Sequence, residues 1–552
     1  MECDVLVAGS GAGGLAAAVT ARKLGLDVIV AEKAPLFGGT TARSGGWLWI
    51  PNHPMQASIG VADSLEEAST YLLHEAGEYF DPARVNAFLT AAPRMVAWFQ
   101  RETAVRFDPS ATFSDYHPDA PGGKPGGRSI VASAFDGREL GPLLAKLEPP
   151  LPELTLFGIM IGSGAELVHF MRWSKSPASA AFVARRLLGH GAAKLFYGRG
   201  VRLTNGNALA GRLLKSATDA GVTLLHSSPL KQLMVQEGRV CGGHVGNLEV
   251  RARRGVVLAC GGFPRDEART RRLFPHRAHF TPAPAGNTGD GLRLGEAAGA
   301  RIDESLPNAA AWVPVSKVPR ADGSFGLFPH FIDRAKPGVI AVTARGERFV
   351  NEGNSYHDFV QALFSACGES PVTAWLITDQ RALRAYGLGF VKPRPLPVAP
   401  HLASGYLKQG RNLPALGAAC GIQAHNLEET VRTYNRHARQ GQDPAFGKGG
   451  TAYNRFYGDP DIQPNPCVAP IATPPFYAVQ VHVGDLGTYA GISTNEHAQA
   501  LDANRRPIPG LYAAGNDALS IMGGNYPGPG ITLGPAMTFG WIAAHHLARA
   551  AG

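Results

Sequence analysis

The chain has 552 residues, 45% of them hydrophobic, enough to bury a large core and to build two or more domains. Its net charge of +9 is not gathered into a basic run interleaved with aromatics; the densest cluster, Arg251-Ala252-Arg253-Arg254, reads as a solvated loop, which argues against a nucleic-acid partner. The 6 cysteines lack CxxC spacing, which argues against disulfides, zinc and iron–sulfur clusters, and no stretch reaches the roughly eighteen apolar residues of a membrane span.

In chain order, a strand-like run, Cys3 to Ala8, leads straight into Gly9-Ser10-Gly11-Ala12-Gly13-Gly14. A small-residue helix follows from Leu15 to Val19, then a second apolar strand from Asp27 to Ala31 that ends in Glu32 and Lys33. This is a dinucleotide fingerprint in its proper setting. Gly9 makes the tight turn, Gly11 lets the backbone approach a pyrophosphate, and Gly14 lets helix and strand pack closely. The helix N-terminus offers free N–H groups and a positive dipole end. Glu32, 23 residues after Gly9, stands where an acid takes a ribose hydroxyl.

A second glycine-rich loop follows at once, with Gly39, Thr40, Thr41, Ser44, Gly45 and Gly46 as donors along an extended cofactor. A nicotinamide enzyme would run into its next helix here, so the loop points to FAD. The segment from Leu36 to Gly46 contains no His, Cys or Tyr, and non-covalent binding is expected.

Residues 105–200 read as a long excursion broken by Pro/Gly loops such as Pro118 to Gly127. Within it, the apolar run Leu154 to Gly162 has three readings: an interfacial patch, part of an apolar substrate lid, or buried packing. Gly255 to Phe263 reads as a buried strand with a glycine turn at Gly261, and Ile508 to Asn516 as a strand delivering Gly515 and Asn516 to the cofactor.

The cofactor signals fall in residues 1–275 and 465–552, expected to form one discontinuous α/β, Rossmann-like FAD-binding domain. Residues 276–464 are expected to form an inserted α+β capping and catalytic domain over the flavin. A site between two such domains sheds water and selects substrate. With the cofactor strand at the very start, a cytoplasmic enzyme without signal peptide is expected, any peripheral membrane contact resting on Leu154 to Gly162.

Together with Asn287-Thr288-Gly289-Asp290-Gly291 and Gly346-Glu347-Arg348-Phe349-Val350-Asn351-Glu352, these segments resemble the fumarate reductase/succinate dehydrogenase flavoprotein superfamily over nearly the whole chain. The resemblance adds Asp290 to the cofactor-binding set. It also implies arginines and a histidine for a dicarboxylate at three positions that here hold Tyr356, Tyr526 and Gly487. A dicarboxylate would lack counter-charges, so the site reads as built for a neutral molecule.

Tyr526-Pro527-Gly528-Pro529-Gly530, and Tyr356 after Asn351-Glu352, resemble the 3-ketosteroid Δ1-dehydrogenases, which remove hydrogens from the carbons α and β to a ketone. The resemblance implies that Tyr526 and the Gly530 N–H bind the carbonyl oxygen. Tyr356 would take the α-proton as a hydride leaves the β-carbon for flavin N5. Gly530, Ile531 and Leu533 would close on the cofactor. A further tyrosine is expected from the excursion, with Tyr116 and Tyr197 as candidates. Pro529 departs from the small residue expected there, leaving a steroid or a smaller cyclic ketone open. The alternatives are a flavin-dependent enone reductase and an electron-carrier subunit. With no second dinucleotide fingerprint, electrons are expected to pass to a quinone, another flavoprotein or oxygen rather than to NAD(P).

Overall fold

The computed structural model describes residues 1–173, 176–276, 278–368 and 371–549. Two sheets organise it. The first has parallel strands at its centre: Thr223–Leu225, Val28–Ala31, Glu2–Ala8, Leu248–Leu258 and Pro507–Ala513. Val5, Leu6, Val7 and Ala8 are all fully buried, as a strand covered on both faces requires. The long strand Leu248–Leu258 turns at its start to an antiparallel meander with Arg239–Val245 and Leu230–Gln236.

Helix Ala12–Lys23 packs on one face against helices Asn205–Ala220 and Leu533–Arg549. Its small residues decide how closely: a Cβ at Gly540 would lie 2.3 Å from the Gly13 carbonyl oxygen, so the two helices touch backbone to backbone. That contact ties the last helix of the chain to the first turn of the fingerprint.

The second sheet is antiparallel, in the order Phe325–Pro329, Ala310–Pro319, Phe476–Thr488, Thr373–Asp379 and Val339–Val342. Trp312, Phe359, Leu363, Leu376, Val479 and Val481 form the core beneath it. The strand Phe476–Thr488 is central here, so the boundary expected at 465 falls inside this unit. Residues 476–488 stand with the cap, and the chain returns to the first sheet only after Thr488.

The excursion builds a small sheet of Trp47–Trp49, Ser129–Ala132 and Phe107–Pro109, the hairpin Thr155–Leu156 with Ile159–Met160, and helices Ala165–Arg172 and Pro177–Tyr197. No described helix is long and apolar enough to cross a membrane.

Candidate active site

A continuous cavity runs from the Gly9 turn to the junction of the two sheets. At its first end Gly9 holds φ +103°, and a Cβ there would meet the Ala259 carbonyl oxygen at 2.2 Å. A Cβ on Gly14 would fall 2.0 Å from the Gly9 oxygen, so no other residue fits. At Gly11 the nearest atom to an added Cβ is Thr41 Oγ1 at 3.5 Å; a side chain would project into the cavity, whose space the glycine keeps open for a ligand. Glu32 accepts from the Ser10 N–H (3.0 Å), Ser10 Oγ (2.6 Å) and the Ala34 N–H (2.8 Å), which hold its carboxylate at the cavity wall. Lys33 pairs with Asp290 at 2.7 Å. Thr41 Oγ1 accepts from the Ala12 N–H at 2.9 Å, and Asn287 Nδ2 donates to Thr40 Oγ1 at 3.0 Å.

Every predicted cofactor residue lines this cavity except two. Gly14 lies behind the turn, where its lack of a side chain lets helix and strand meet. Ile531 is buried in the core beneath the final helix. A channel with an acid at one end, a helix N-terminus, and hydroxyl and amide donors along its length fits a dinucleotide as extended as FAD.

Three tyrosines close the far end. Tyr116 Oη donates to Tyr356 Oη at 2.9 Å. The Tyr526 ring stacks on Tyr116 with centroids 5.3 Å apart and meets Tyr356 edge-on at 4.9 Å. All three are buried and line the cavity. Burial is the main cause that raises each phenol above its ordinary range; for Tyr526, where a hydrogen bond from Tyr356 works the other way, the result is about 12. The phenols therefore rest protonated.

Gly530 sits beside them with φ +98°, and a Cβ would meet Leu48 N at 2.5 Å. Its carbonyl accepts from the Trp49 and Gly534 N–H groups, while its own N–H, at the cavity wall, meets no protein acceptor among the described residues. At Gly487, where the superfamily resemblance implied a histidine, φ is +138°, which strains any side chain, and a Cβ would lie 2.1 Å from Asn516 Nδ2, which would have to move.

Tyr197 does not reach this cluster. It ends helix Pro177–Tyr197, is 51% exposed, and does not line the cavity; the helix exit turns it outward beside Leu195 and Phe196. The apolar run Leu154 to Gly162 does reach the cavity, through Leu154, Met160, Ile161 and Gly162. Arg320, at the end of a cap-sheet strand, pairs with Glu153 at 2.6 Å and ties this hairpin to the second sheet.

The sequence reading missed the frame behind the tyrosines. His117 bridges Glu75 (Nδ1, 2.8 Å) and Asp358 (Nε2, 2.9 Å), and Glu75 also accepts from Asn525 Nδ2 at 2.8 Å. His117 itself follows Tyr116; it thus joins Asp358, two residues after Tyr356, directly, and Asn525, just before Tyr526, through Glu75. Burial pulls its pKa down, but the hydrogen bonds to Asp358 and Glu75 outweigh that and raise it to about 10, so it is an imidazolium at neutral pH. Around it, the Tyr116 N–H and Tyr71 Oη both donate to the Pro527 carbonyl, at 2.9 and 2.6 Å. The buried Arg128 pairs with Asp63 and Asp115, each at 2.8 Å, and Asp115 accepts from Trp49 Nε1. His357, beside Tyr356, is a core residue: its Nδ1 accepts from the Trp312 N–H, and burial lowers its pKa to about 4. Partners separated by tens to hundreds of residues leave no local signal.

A family model described as an FAD binding domain matches residues 4–533. The 4-oxocyclohex-2-ene-1-carboxylate 5-dehydrogenase of Sinomonas cyclohexanicum is 41% identical over 560 residues, covering 100% of this chain and 94% of the relative. The 3-oxosteroid 1-dehydrogenase of Mycobacterium tuberculosis is 37% identical over 572 residues, covering 100% and 99%. The solved 3-ketosteroid delta1-dehydrogenase from Sterolibacterium denitrificans, in complex with 1,4-androstadiene-3,17-dione, superposes with a TM-score of 0.91 at 36% identity, covering 99% of each chain. With this sheet order, this FAD channel and these relatives, the chain belongs to the FAD-binding flavoproteins, in the branch of the 3-ketosteroid Δ1-dehydrogenases, and is an FAD-dependent oxidoreductase.

Proposed function

We propose that the enzyme desaturates a cyclic ketone between the carbons α and β to its carbonyl. The observation that carries this is the buried Tyr116–Tyr356–Tyr526 cluster beside the free Gly530 N–H, in the wall of the cavity that holds FAD. Tyr526 Oη and the Gly530 N–H donate to the carbonyl oxygen. An α-C–H beside a ketone is a weak acid, and two donors aimed at the developing enolate oxygen lower the barrier, about 3–4 kcal/mol being lost when one is removed. Tyr356 Oη, in its phenolate form, takes the α-proton, and Tyr116 Oη donates to the same oxygen and shares its charge. FAD supplies the acceptor for the hydride that leaves the β-carbon. The Leu154–Gly162 run and the cap sheet keep water from the reacting carbons.

The test is anaerobic mixing with androst-4-ene-3,17-dione and cyclohexanone, with succinate as control, while the flavin absorbance near 450 nm is followed. Bleaching by a ketone, slowed about 10²–10³-fold in Tyr526→Phe, is the expected result. If ketones leave the flavin oxidised and an enone instead reoxidises chemically reduced enzyme, the reductase reading replaces this one.

We also infer that the enzyme works against a membrane surface. On helix Pro177–Tyr197, Leu188, Leu195 and Phe196 are 75%, 80% and 77% exposed, and Phe157 at the hairpin tip is 63% exposed. Leu188 and Leu195 are one heptad apart on one face, and the exposed Arg185 and Lys194 suit anionic headgroups. The segment that bears Phe157 lines the cavity through Leu154, Met160, Ile161 and Gly162, so a ketone held at the membrane surface has a short path to the site.

A further inference from the structure

Three cationic side chains line the cavity among the described residues: Lys33, Arg43 and Lys392. The first two are neutralised at the cofactor end, Lys33 by Asp290 at 2.7 Å and Arg43 by Glu148 at 2.5 Å. Lys392 forms no ion pair among the described residues. Its Nζ lies 5.3 Å from the Phe328 ring centroid and 5.5 Å from that of Phe390. Phe328 lines the cavity with it, and three residues along the same segment Phe331 sets its ring 5.3 Å from the Tyr356 ring.

The position is fixed rather than trailing. Leu388 and Val391 exchange backbone hydrogen bonds of 2.9 and 3.1 Å, closing a tight turn just before Lys392. The lysine is half-buried, and burial lowers its pKa; only the charge of Asp333, which is itself hydrogen-bonded to His330 and the Gly389 N–H and makes no direct ion pair with the lysine, acts the other way. Two aromatic faces offset part of that cost but accept no charged hydrogen bond. A cation held this way in a cavity wall is completed by an anion that arrives with the ligand.

We propose that Lys392 is an anion subsite and that the substrate is a cyclic ketone bearing a carboxylate at the end remote from its carbonyl. This rests on the ketone-desaturation reading above and refines it. The charges missing from the dicarboxylate positions are missing at the carbonyl end, where Tyr526 and Gly530 face a neutral oxygen. The cation stands instead on the cap side, beyond Phe328 and Phe331. The ring then lies between the tyrosines and the two phenylalanines, with its carboxylate on Lys392 Nζ. A monocyclic keto acid and a 3-oxosteroid with a carboxylated side chain share this chemistry.

The experiment compares each acid with its methyl ester in the holoenzyme: 4-oxocyclohexanecarboxylate for the small ring, and 3-oxochol-4-en-24-oate for the steroid. In the wild type, one acid is expected to show a KM at least tenfold below that of its own ester, and the pair that does so names the ring size. Lys392→Met is expected to cut the acid-to-ester ratio of kcat/KM at least tenfold, while Lys392→Arg keeps most of it. Equal KM values for acid and ester in both pairs, or an unchanged ratio in Lys392→Met, would overturn the proposal. The desaturation reading fails separately, by the absence of flavin bleaching with any ketone. In that case acid and ester are compared by the shift they cause in the spectrum of the bound flavin, and equal affinities overturn the anion subsite regardless of turnover.

Discussion

At the scale of single residues, the tyrosine cluster sets a pH dependence. Burial raises the Tyr356 phenol, so its phenolate is a minor species at neutral pH, and the fraction able to accept a proton grows as pH rises. The rate of flavin reduction by a ketone should therefore climb from pH 6 to 9, approaching about tenfold per unit if nothing else titrates. A flat or falling profile would remove Tyr356 as the base. His117 gives a second, independent handle. Its folded pKa of about 10 lies above the unfolded value of about 6.5. The stability it contributes is complete below about pH 6.5 and is lost as pH rises toward 10. Melting temperatures of wild type and His117→Gln should differ most at pH 6 and converge near pH 10; a constant gap would show that the imidazole acts by packing alone.

At the scale of elements, what the sequence revealed and what it hid divide along one line. The Gly9 turn, Glu32, the loop from Gly39 to Gly46 and the Gly515–Asn516 strand end were legible because each is a short contiguous pattern whose chemistry and backbone demand coincide. Tyr526 and Gly530 were singled out by the family resemblance of their segment, and both line the cavity. The two excursion candidates, Tyr116 and Tyr197, looked alike, since neither segment says which way its ring faces; the fold separates them, one hydrogen-bonded to Tyr356, the other on an outer helix. That outer helix supports its own test. With vesicles containing phosphatidylglycerol, the wild type should cosediment, and Leu188→Ser/Leu195→Ser/Phe196→Ser should stay in the supernatant. If neither protein sediments but the substitution changes the oligomeric state in gel filtration, the stripe is a contact between copies of the chain.

At the scale of the whole molecule, the site depends on where the chain crosses between its two sheets. The cap's central strand, Phe476–Thr488, runs directly into the segment that re-enters the first sheet, and Thr488 Oγ1 meets the Phe263 N–H and the Asn516 carbonyl beside the cofactor channel. A crossing there places Tyr356, from the cap, against Tyr116 and Tyr526, from the other unit. Neither the crossing point nor the contact is written in local sequence, because both follow from sheet order.

The clamp that His117 forms with Glu75, Asp358 and Asn525 has a consequence for how activity is acquired. It joins four stretches of chain that lie far apart in order of synthesis, the last close to the C-terminus. A piece of the polypeptide that stops before Asn525 lacks the last member of the clamp and, with it, Tyr526 and Gly530. Turnover and the yellow colour of bound cofactor therefore both need early and late stretches of the chain to have met, since Gly9 and Gly515 line one channel, but only turnover also needs the three tyrosines held in place.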